Sequence, residues 1–288
     1  MGLFGSTRDV KALLTEGMGL AKVGKHKEAA SCFEKVLKSD PQNIDALYHK
    51  GLALNNLGKN NDAISCFEKI LEIDPKNIAA LNNIGNSLGE LEKHNEALAY
   101  YEKALQIDPQ YGPTLYNKAI AYSKLHQNEE ALRCIDGALK TDSQNINSLY
   151  CKGVVLGKMG KHNDALACFN KVLTLDPNYH DALFYKGIEL AEIGNYNDAI
   201  SIFDEILKRE PKNVNAIYSK SCSKAQLGED DEALALLAQA ISYKGALVKN
   251  WAIKDKFFDK LKDDPRFKVV IKDFFAGLTY NRSKPKTK

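Results

Sequence analysis

Six cysteines are the most reactive side chains of this 288-residue chain. Four of them recur at intervals of 34 residues or twice that, at Cys32, Cys66, Cys134 and Cys168. A zinc site takes ligands about two to five residues apart in sequence, and a disulfide needs Cα atoms within about 7 Å. Residues one whole interval apart meet neither requirement. We therefore predict free cysteines that pack as small apolar side chains, in a reducing compartment.

Three histidines, His26, His94 and His162, are the next candidates, because imidazole can act as a general base or a metal ligand. They fall in predicted turns, and no partner group converges on them, so we predict solvated turn residues. The chain also lacks a nucleophile elbow, a phosphate loop, a zinc-protease motif and a dinucleotide fingerprint. We predict no catalytic residue, no metal site and no cofactor, and therefore a protein that is not an enzyme.

Five lysines recur in register, each directly before a small residue, at Lys50, Lys118, Lys152, Lys186 and Lys220. They could attract an acidic partner, or their stems could pack on apolar surface while each ammonium reaches water or a carboxylate. We favour the second interpretation. From Lys244 onward the chain has 13 lysines and arginines against 5 aspartates, but aromatic residues do not alternate with them as in a base-stacking platform. Nucleic-acid binding is therefore not predicted.

The composition, 44 % hydrophobic and 27 % charged, is typical of a folded globular protein. No apolar run approaches the roughly 18 residues of a membrane-spanning helix, and no secretory signal is expected at the N-terminus. The opening residues MGLFGS match the loose myristoylation pattern through Gly2 and Ser6, which we interpret as a chance match. We predict a cytoplasmic protein with no membrane partner.

A 34-residue period positions all of these side chains. Alanine recurs once in every period, at Ala29, Ala63, Ala97, Ala131, Ala165, Ala199 and Ala233. Proline closes most periods, at Pro41, Pro75, Pro109, Pro177 and Pro211. The pattern defines seven units, at 10–43, 44–77, 78–111, 112–145, 146–179, 180–213 and 214–247.

Each unit is predicted to form two short helices, as the unit 44–77 illustrates. Apolar and small residues around Gly51 recur at spacings of three and four, as on one face of a helix. Gly58 can take the left-handed conformation that ends this helix. A second helix is predicted to begin near Asn61, whose side chain suits a helix N-terminus, and to end before Pro75.

The small residues allow the two helices to cross closely, at about 8–10 Å. Gly51 and Ala63 are expected at the crossing, with Phe67 packed beside them. This pattern resembles the tetratricopeptide repeat (TPR). In one unit the resemblance is carried by Leu47, Gly51, Ala63, Phe67, Ile70 and Pro75.

The resemblance implies an all-α, right-handed superhelical solenoid of seven helix-turn-helix repeats over residues 10–247. Residues 1–9 are then a lead-in, residues 248–278 C-terminal capping helices, and residues 279–288 a basic disordered tail. It also implies a scaffold that binds a protein or peptide partner in the concave groove lined by the first helices.

Transferring the family's inward positions one by one gives the groove residues of this chain. They are Tyr48, Leu52, Asn82, Asn86, Tyr116, Ile120, Tyr150, Val154, Phe184, Ile188 and Tyr218. In the third repeat Asn83 joins Asn82 and Asn86, with Asn117 of the next repeat, in a polar patch that either binds a peptide or consists of hydrated surface amides. Apolar side chains with tyrosine hydroxyls predict an apolar trough with polar rims. Asn86 matches the asparagine with which the family commonly holds a peptide backbone.

The carboxylate clamp of chaperone-binding relatives is not predicted. With Asn86 in register, the position of its lysine partner holds Asn82, and the later Lys/Arg pair corresponds to Asn147 and Cys151. Two functional alternatives remain open at this point. Either the groove binds a segment of a partner protein, or the protein is an assembly component whose groove is occupied by its own C-terminal helix or by a second copy.

Overall fold

The computed structural model describes residues 7–272, which form fifteen α-helices and one 3-10 turn without a strand. The first eight helices are α1 (Thr7–Lys22), α2 (His26–Ser39), α3 (Ile44–Asn56), α4 (Asn60–Ile73), α5 (Ile78–Glu90), α6 (His94–Ile107), α7 (Gly112–Lys124) and α8 (Asn128–Thr141). The others are α9 (Ile146–Lys158), α10 (His162–Leu175), α11 (His180–Glu192), α12 (Tyr196–Arg209), α13 (Val214–Leu227), α14 (Asp230–Lys254) and α15 (Pro265–Lys272), with the 3-10 turn Lys256–Phe258 before α15.

The helices form two compact units, an N-terminal unit that ends at Cys151 and a C-terminal unit that begins at Lys152. Within each unit, helices that are consecutive in sequence pack against each other, as α1 does with α2 and α2 with α3. First helices of successive repeats also touch directly, for example α3 with α5 and α11 with α13. Contact along this row places the first helices on the inner side of each stack. The predicted all-helical repeat fold is confirmed.

A glycine and an aromatic ring fix the crossing inside most repeats. A Cβ atom on Gly51 would lie 2.6 Å from Cε1 of Phe67, so only glycine fits against this ring. Phe67 and Ala63 are fully buried at the same crossing, as predicted. The fourth repeat has Ala119 in place of the glycine and the smaller Ile135 in place of the ring. A larger residue at the glycine position is thus accompanied by a smaller residue at the ring position.

The predicted left-handed turn between the two helices is present. Gly58 has a φ of 71°, and the amide of Lys59 donates to the carbonyl of Leu54. In the third and fourth repeats Glu92 and His126 take the same conformation, each with a φ of 60°.

Capping of the helices differs from the prediction. The second helix of the 44–77 repeat begins at Asn60, one residue earlier than expected, and its N-cap residue Lys59 makes no side-chain cap. The capping asparagines instead precede the first helices. Asn77 Oδ1 accepts from the amide of Ala80 at 3.0 Å, and its Nδ2 donates to Asp74.

Three of the five recurring lysines reach a carboxylate, as the favoured interpretation predicts. Lys50 forms an ion pair with Glu34, Lys118 with Glu102 at 3.4 Å, and Lys220 with Asp204 at 2.8 Å. The hydrogen bond from Lys50 lowers the pKa of Glu34. Each pair joins the first helix of one repeat to the second helix of the repeat before it. All six cysteines lie within the described residues and none of them forms a disulfide, and burial raises the pKa of Cys66.

The two ends depart from the predicted boundaries. Helix α1 begins at Thr7, inside the expected lead-in 1–9, and α14 continues to Lys254 across non-helical residues Lys244 and Gly245. Phe258, Leu261 and Phe267 of the predicted capping region are buried in the core cluster of α13 and α14. Gly2, Ser6 and the basic tail 279–288 lie outside the described residues.

Candidate peptide-binding clefts

The inner side of the N-terminal unit contains a cleft of about 510 Å³. It brings together five predicted groove residues from three successive first helices, namely Leu52, Asn83, Asn86, Asn117 and Ile120. Leu52 lies on α3, and the two pairs on α5 and α7 are each three residues apart, so that one face of each helix lines the cleft. The cleft also includes residues that the sequence did not single out, namely Asn55, Asn56, Glu90 and Lys124.

Two of the predicted asparagines serve mainly to join repeats. Asn82 is buried, and its Oδ1 accepts hydrogen bonds from Thr114 Oγ1 and Asn117 Nδ2, each at 3.0 Å. Asn83 is also buried and donates from Nδ2 to the carbonyl of Ala79 at 2.8 Å. The polar patch predicted in the third repeat is thus partly internal, since its partners come from within the protein.

The remaining asparagines of the cleft keep hydrogen-bonding capacity. Asn86 Oδ1 accepts from the hydroxyl of Tyr101 at 2.8 Å, and burial raises the pKa of Tyr101, which keeps it a donor. Among residues 7–272, Asn86 Nδ2 and Asn117 Oδ1 have no hydrogen-bond partner. Asn86 and Asn117 therefore offer the cleft an amide donor and an amide acceptor, the two groups that a peptide backbone complements.

His94 also lines this cleft, at the first residue of α6. Its Nδ1 is buried and finds no hydrogen-bond partner within residues 7–272, and the same holds for Nδ1 of His26. The prediction of solvated turn residues is wrong for His26 and His94, because each is the first residue of its helix and its Nδ1 atom is buried.

The predicted tyrosines do not all join the same cleft. Tyr48 is half-buried and packs edge-on against Phe67, with ring centroids 6.1 Å apart. Tyr116 lines a separate cleft of about 490 Å³ at the start of α7, beside Pro113 and Thr141. Tyr150 is half-buried on α9. These three tyrosines are therefore half-buried at separate places and do not line one common cleft.

A second cleft, of about 450 Å³, lies in the C-terminal unit and contains the predicted residues Val154 and Ile188. Phe184, one turn before Ile188, is half-buried and packs on the adjoining core cluster. Glu189 lines the cleft with only 5 % of its surface exposed, and its Oε2 lies 2.6 Å from His162 Nδ1. Burial raises the pKa of Glu189, partly offset by this contact. His162 is therefore not a solvated turn residue either.

Tyr218 is placed differently from its prediction. It is 8 % exposed, its hydroxyl donates to Asp255 Oδ2 at 2.9 Å, and its ring packs edge-on against Trp251 at 5.4 Å. The C-terminal segment covers the inner face of α13, so Tyr218 does not line an open groove.

Family models described as tetratricopeptide repeat match residues 44–77, 78–111 and 146–179. Further models with the same description match residues 10–43, 100–133, 168–201 and 186–246. The chain belongs to the tetratricopeptide repeat family. No curated protein matches the chain.

Several solved structures are similar to this chain over much of its length. YrrB, described as a TPR protein with an unusual peptide-binding site, is 26 % identical with a TM-score of 0.56, covering 66 % of this chain and 98 % of YrrB. A TPR protein of Parabacteroides merdae is 17 % identical with a TM-score of 0.63, over 92 % of this chain and 99 % of its own. PilW, a type IV pilus biogenesis factor, is 24 % identical with a TM-score of 0.66, covering 72 % of this chain and 96 % of PilW.

The TPR fold is typically a non-enzymatic scaffold for protein interaction, and this chain has that fold. Residues 7–272 contain no cluster of three or more His, Cys, Asp or Glu side chains arranged to hold a metal ion. No helix within the same residues is long and apolar enough to cross a membrane.

Proposed function

We propose that this TPR protein binds an extended segment of a partner protein in the cleft between α3, α5 and α7. One observation carries the proposal: in a cleft of about 510 Å³, Asn86 Nδ2 and Asn117 Oδ1 have no hydrogen-bond partner in the described part of the chain. A peptide carbonyl and a peptide amide would satisfy these groups, while Leu52 and Ile120 bury apolar side chains of the partner.

The internal hydrogen bonds around the cleft support this interpretation. Tyr101 holds the carbonyl side of Asn86, and Asn82 holds the amino side of Asn117, so each amide presents its other end in a fixed orientation. Preorganised donors and acceptors reduce the entropy lost on binding. The peptide-binding site described for YrrB, which has the same repeat fold, supports the same class of ligand.

The test uses 12-residue peptides selected from a random display library against the full chain, with affinities measured by fluorescence anisotropy. Asn86→Asp keeps the oxygen that Tyr101 contacts but replaces the free donor by an acceptor. We expect selected peptides to bind this variant about tenfold more weakly, the cost of roughly one unsatisfied hydrogen bond.

Asn95→Asp on α6 is the matched control, because Asn95 is exposed and lies outside the cleft. It introduces the same charge and should leave the affinity unchanged. Equal weakening by both variants would reduce the effect to a change of charge, and unchanged affinity of Asn86→Asp would remove the cleft from the function.

A further inference from the structure

The cleft of α3, α5 and α7 and the cleft of about 450 Å³ lie at the same place in their repeats, two 34-residue periods apart. In this register Gly89, His94 and Ala121 of the first cleft correspond to Gly157, His162 and Glu189 of the second. Each compact unit therefore contains one copy of the same repeat site.

In the second cleft a carboxyl group of the chain fills this site. Glu189 is buried, and its Oε2 lies 2.6 Å from Nδ1 of His162. A Cβ atom on Gly157 would collide with Oε1 of Glu189, so only glycine leaves room for the carboxyl group. The glycine and the histidine together thus form a pocket that a carboxyl group occupies.

The first cleft has the same glycine and the same histidine, but Ala121 stands where the second cleft has its glutamate. A Cβ atom on Gly89 would meet nothing within 4 Å. Nδ1 of His94 is buried and has no hydrogen-bond partner among the described residues. A buried polar atom without a partner costs free energy, which a hydrogen bond to a ligand recovers.

The glycine distinguishes this pocket from the equivalent places in other repeats. At the repeat position of His94, three further residues have a buried polar atom without a partner in the described part of the chain, namely His26, Asn60 and Asn128. At the position of Gly89, the same three repeats hold residues with a Cβ atom, namely Ala21, Asn55 and Ser123. Glycine and histidine occur together only in the third and fifth repeats, and Glu189 fills the pocket of the fifth.

We propose that the pocket of Gly89, His94 and Ala121 binds the carboxylate of an aspartate or glutamate side chain of the partner segment. The carboxylate takes the place that the carboxyl group of Glu189 takes in the second cleft, and it accepts a hydrogen bond from the imidazole. Glu90 and Lys124 also line the first cleft and carry opposite charges. The inference rests on the proposed function, because it assigns one side chain of the peptide that this cleft binds.

The test screens two 12-residue display libraries against the full chain, one with all amino acids and one without aspartate and glutamate. The best peptide of each library is synthesised with an amidated C-terminus, so that only a side chain can supply a carboxylate. We expect the peptide from the full library to contain an aspartate or glutamate. Its replacement by the corresponding amide should weaken binding at least about tenfold in fluorescence anisotropy.

Gly89→Ala places a methyl group in the pocket without meeting another group of the protein. We expect it to weaken the acidic peptide at least about tenfold and to leave the acid-free peptide unchanged. Gly19→Ala on α1 is the matched control, because Gly19 is also a helical glycine whose Cβ atom would meet nothing within 4 Å, and it lies outside the cleft. It should change neither affinity.

Ala121→Glu is a second variant, which supplies from within the chain the carboxyl group that Glu189 supplies in the fifth repeat. It should weaken the acidic peptide and spare the acid-free one, because the pocket is then already filled. Ala121 is buried, so Gly89→Ala keeps the test valid if this variant unfolds.

Asn86→Asp separates a failure of this inference from a failure of the proposed function. If it weakens both peptides while the acid-free peptide binds as tightly as the acidic one, the carboxylate pocket is wrong and the peptide-binding cleft stands. Equal weakening of both peptides by Gly89→Ala would also overturn the pocket, since the methyl group would then act without regard to charge. If Asn86→Asp weakens neither peptide, the proposed function is wrong, and this inference with it.

Discussion

At the scale of single residues, glycine and its facing ring set how closely two helices approach. In the third repeat a Cβ atom on Gly85 would collide with the ring of Tyr101, whereas a Cβ on Gly89, one turn later, would meet nothing within 4 Å. Both glycines lie in α5, Gly85 near its middle and Gly89 in its last turn, and only Gly85 faces a ring. This pair separates the packing role of glycine from its poor helix propensity.

We predict opposite effects for the two substitutions to alanine. Gly85→Ala should destabilise the protein by about 1–3 kcal/mol through overpacking. Gly89→Ala should stabilise it by about 0.5–1 kcal/mol, because alanine loses less backbone entropy in a helix. Thermal and urea unfolding followed by circular dichroism measure both. A destabilised Gly89→Ala, or an unaffected Gly85→Ala, would contradict the packing account.

At the scale of helices, an asparagine at the end of the preceding repeat caps four of the described first helices, namely α3, α5, α9 and α13. Asn213 Oδ1 accepts from the amide of Ala216 at 3.0 Å, and its Nδ2 donates to Glu210 Oε2 at 2.7 Å. Asn195 is also an N-cap residue, of α12, but its side chain makes no capping hydrogen bond. The two asparagines thus share a position relative to their helices but not a contact.

We predict that Asn213→Ala lowers the free energy of unfolding by about 1 kcal/mol, the usual value of a side-chain cap. Asn195→Ala should change it by no more than a few tenths of a kcal/mol, because no capping bond is lost. Urea unfolding of both variants under identical conditions provides the measurement. Equal losses would mean that capping does not distinguish these two helices.

At the scale of the whole molecule, each unit is a linear stack in which helices contact mainly their neighbours in sequence. The free energy of unfolding of such a stack is approximately a sum of contributions from each repeat and from its contacts with the adjacent repeats. A destabilising substitution therefore affects mainly the repeat that contains it and its neighbours. Phe258 closes the end of this stack, because it is fully buried against α13 and α14.

We predict that Phe258→Ala costs about 3–5 kcal/mol, as for other buried aromatic rings, and that the loss remains local. Amide hydrogen exchange should accelerate in α13, α14 and α15 and stay unchanged in α1 and α2. Phe257→Ala, at a half-buried ring, is the control and should have a smaller effect. Uniform acceleration along the chain would show that the stack unfolds as a single cooperative body.

The sequence alone determined the repeat, the helix pairs, the left-handed turn at Gly58 and the contact of Gly51 with Phe67. These features depend on residues within one 34-residue unit, so that a pattern repeated along the chain contains them. The sequence also indicated which face of each first helix lines the cleft. Leu52, Asn86 and Ile120 occupy the family's inward positions, which helical spacing places on one face, and all three line the cleft.

Only the tertiary structure decided which of these residues remain open to a ligand. Asn82 accepts hydrogen bonds from side chains of the following repeat, and the Tyr218 hydroxyl donates to Asp255, which lies 37 residues later in sequence. His162 meets Glu189, which is present in only one repeat and therefore leaves no periodic signal. Exposure depends on contacts between distant segments, and no local spacing encodes those contacts.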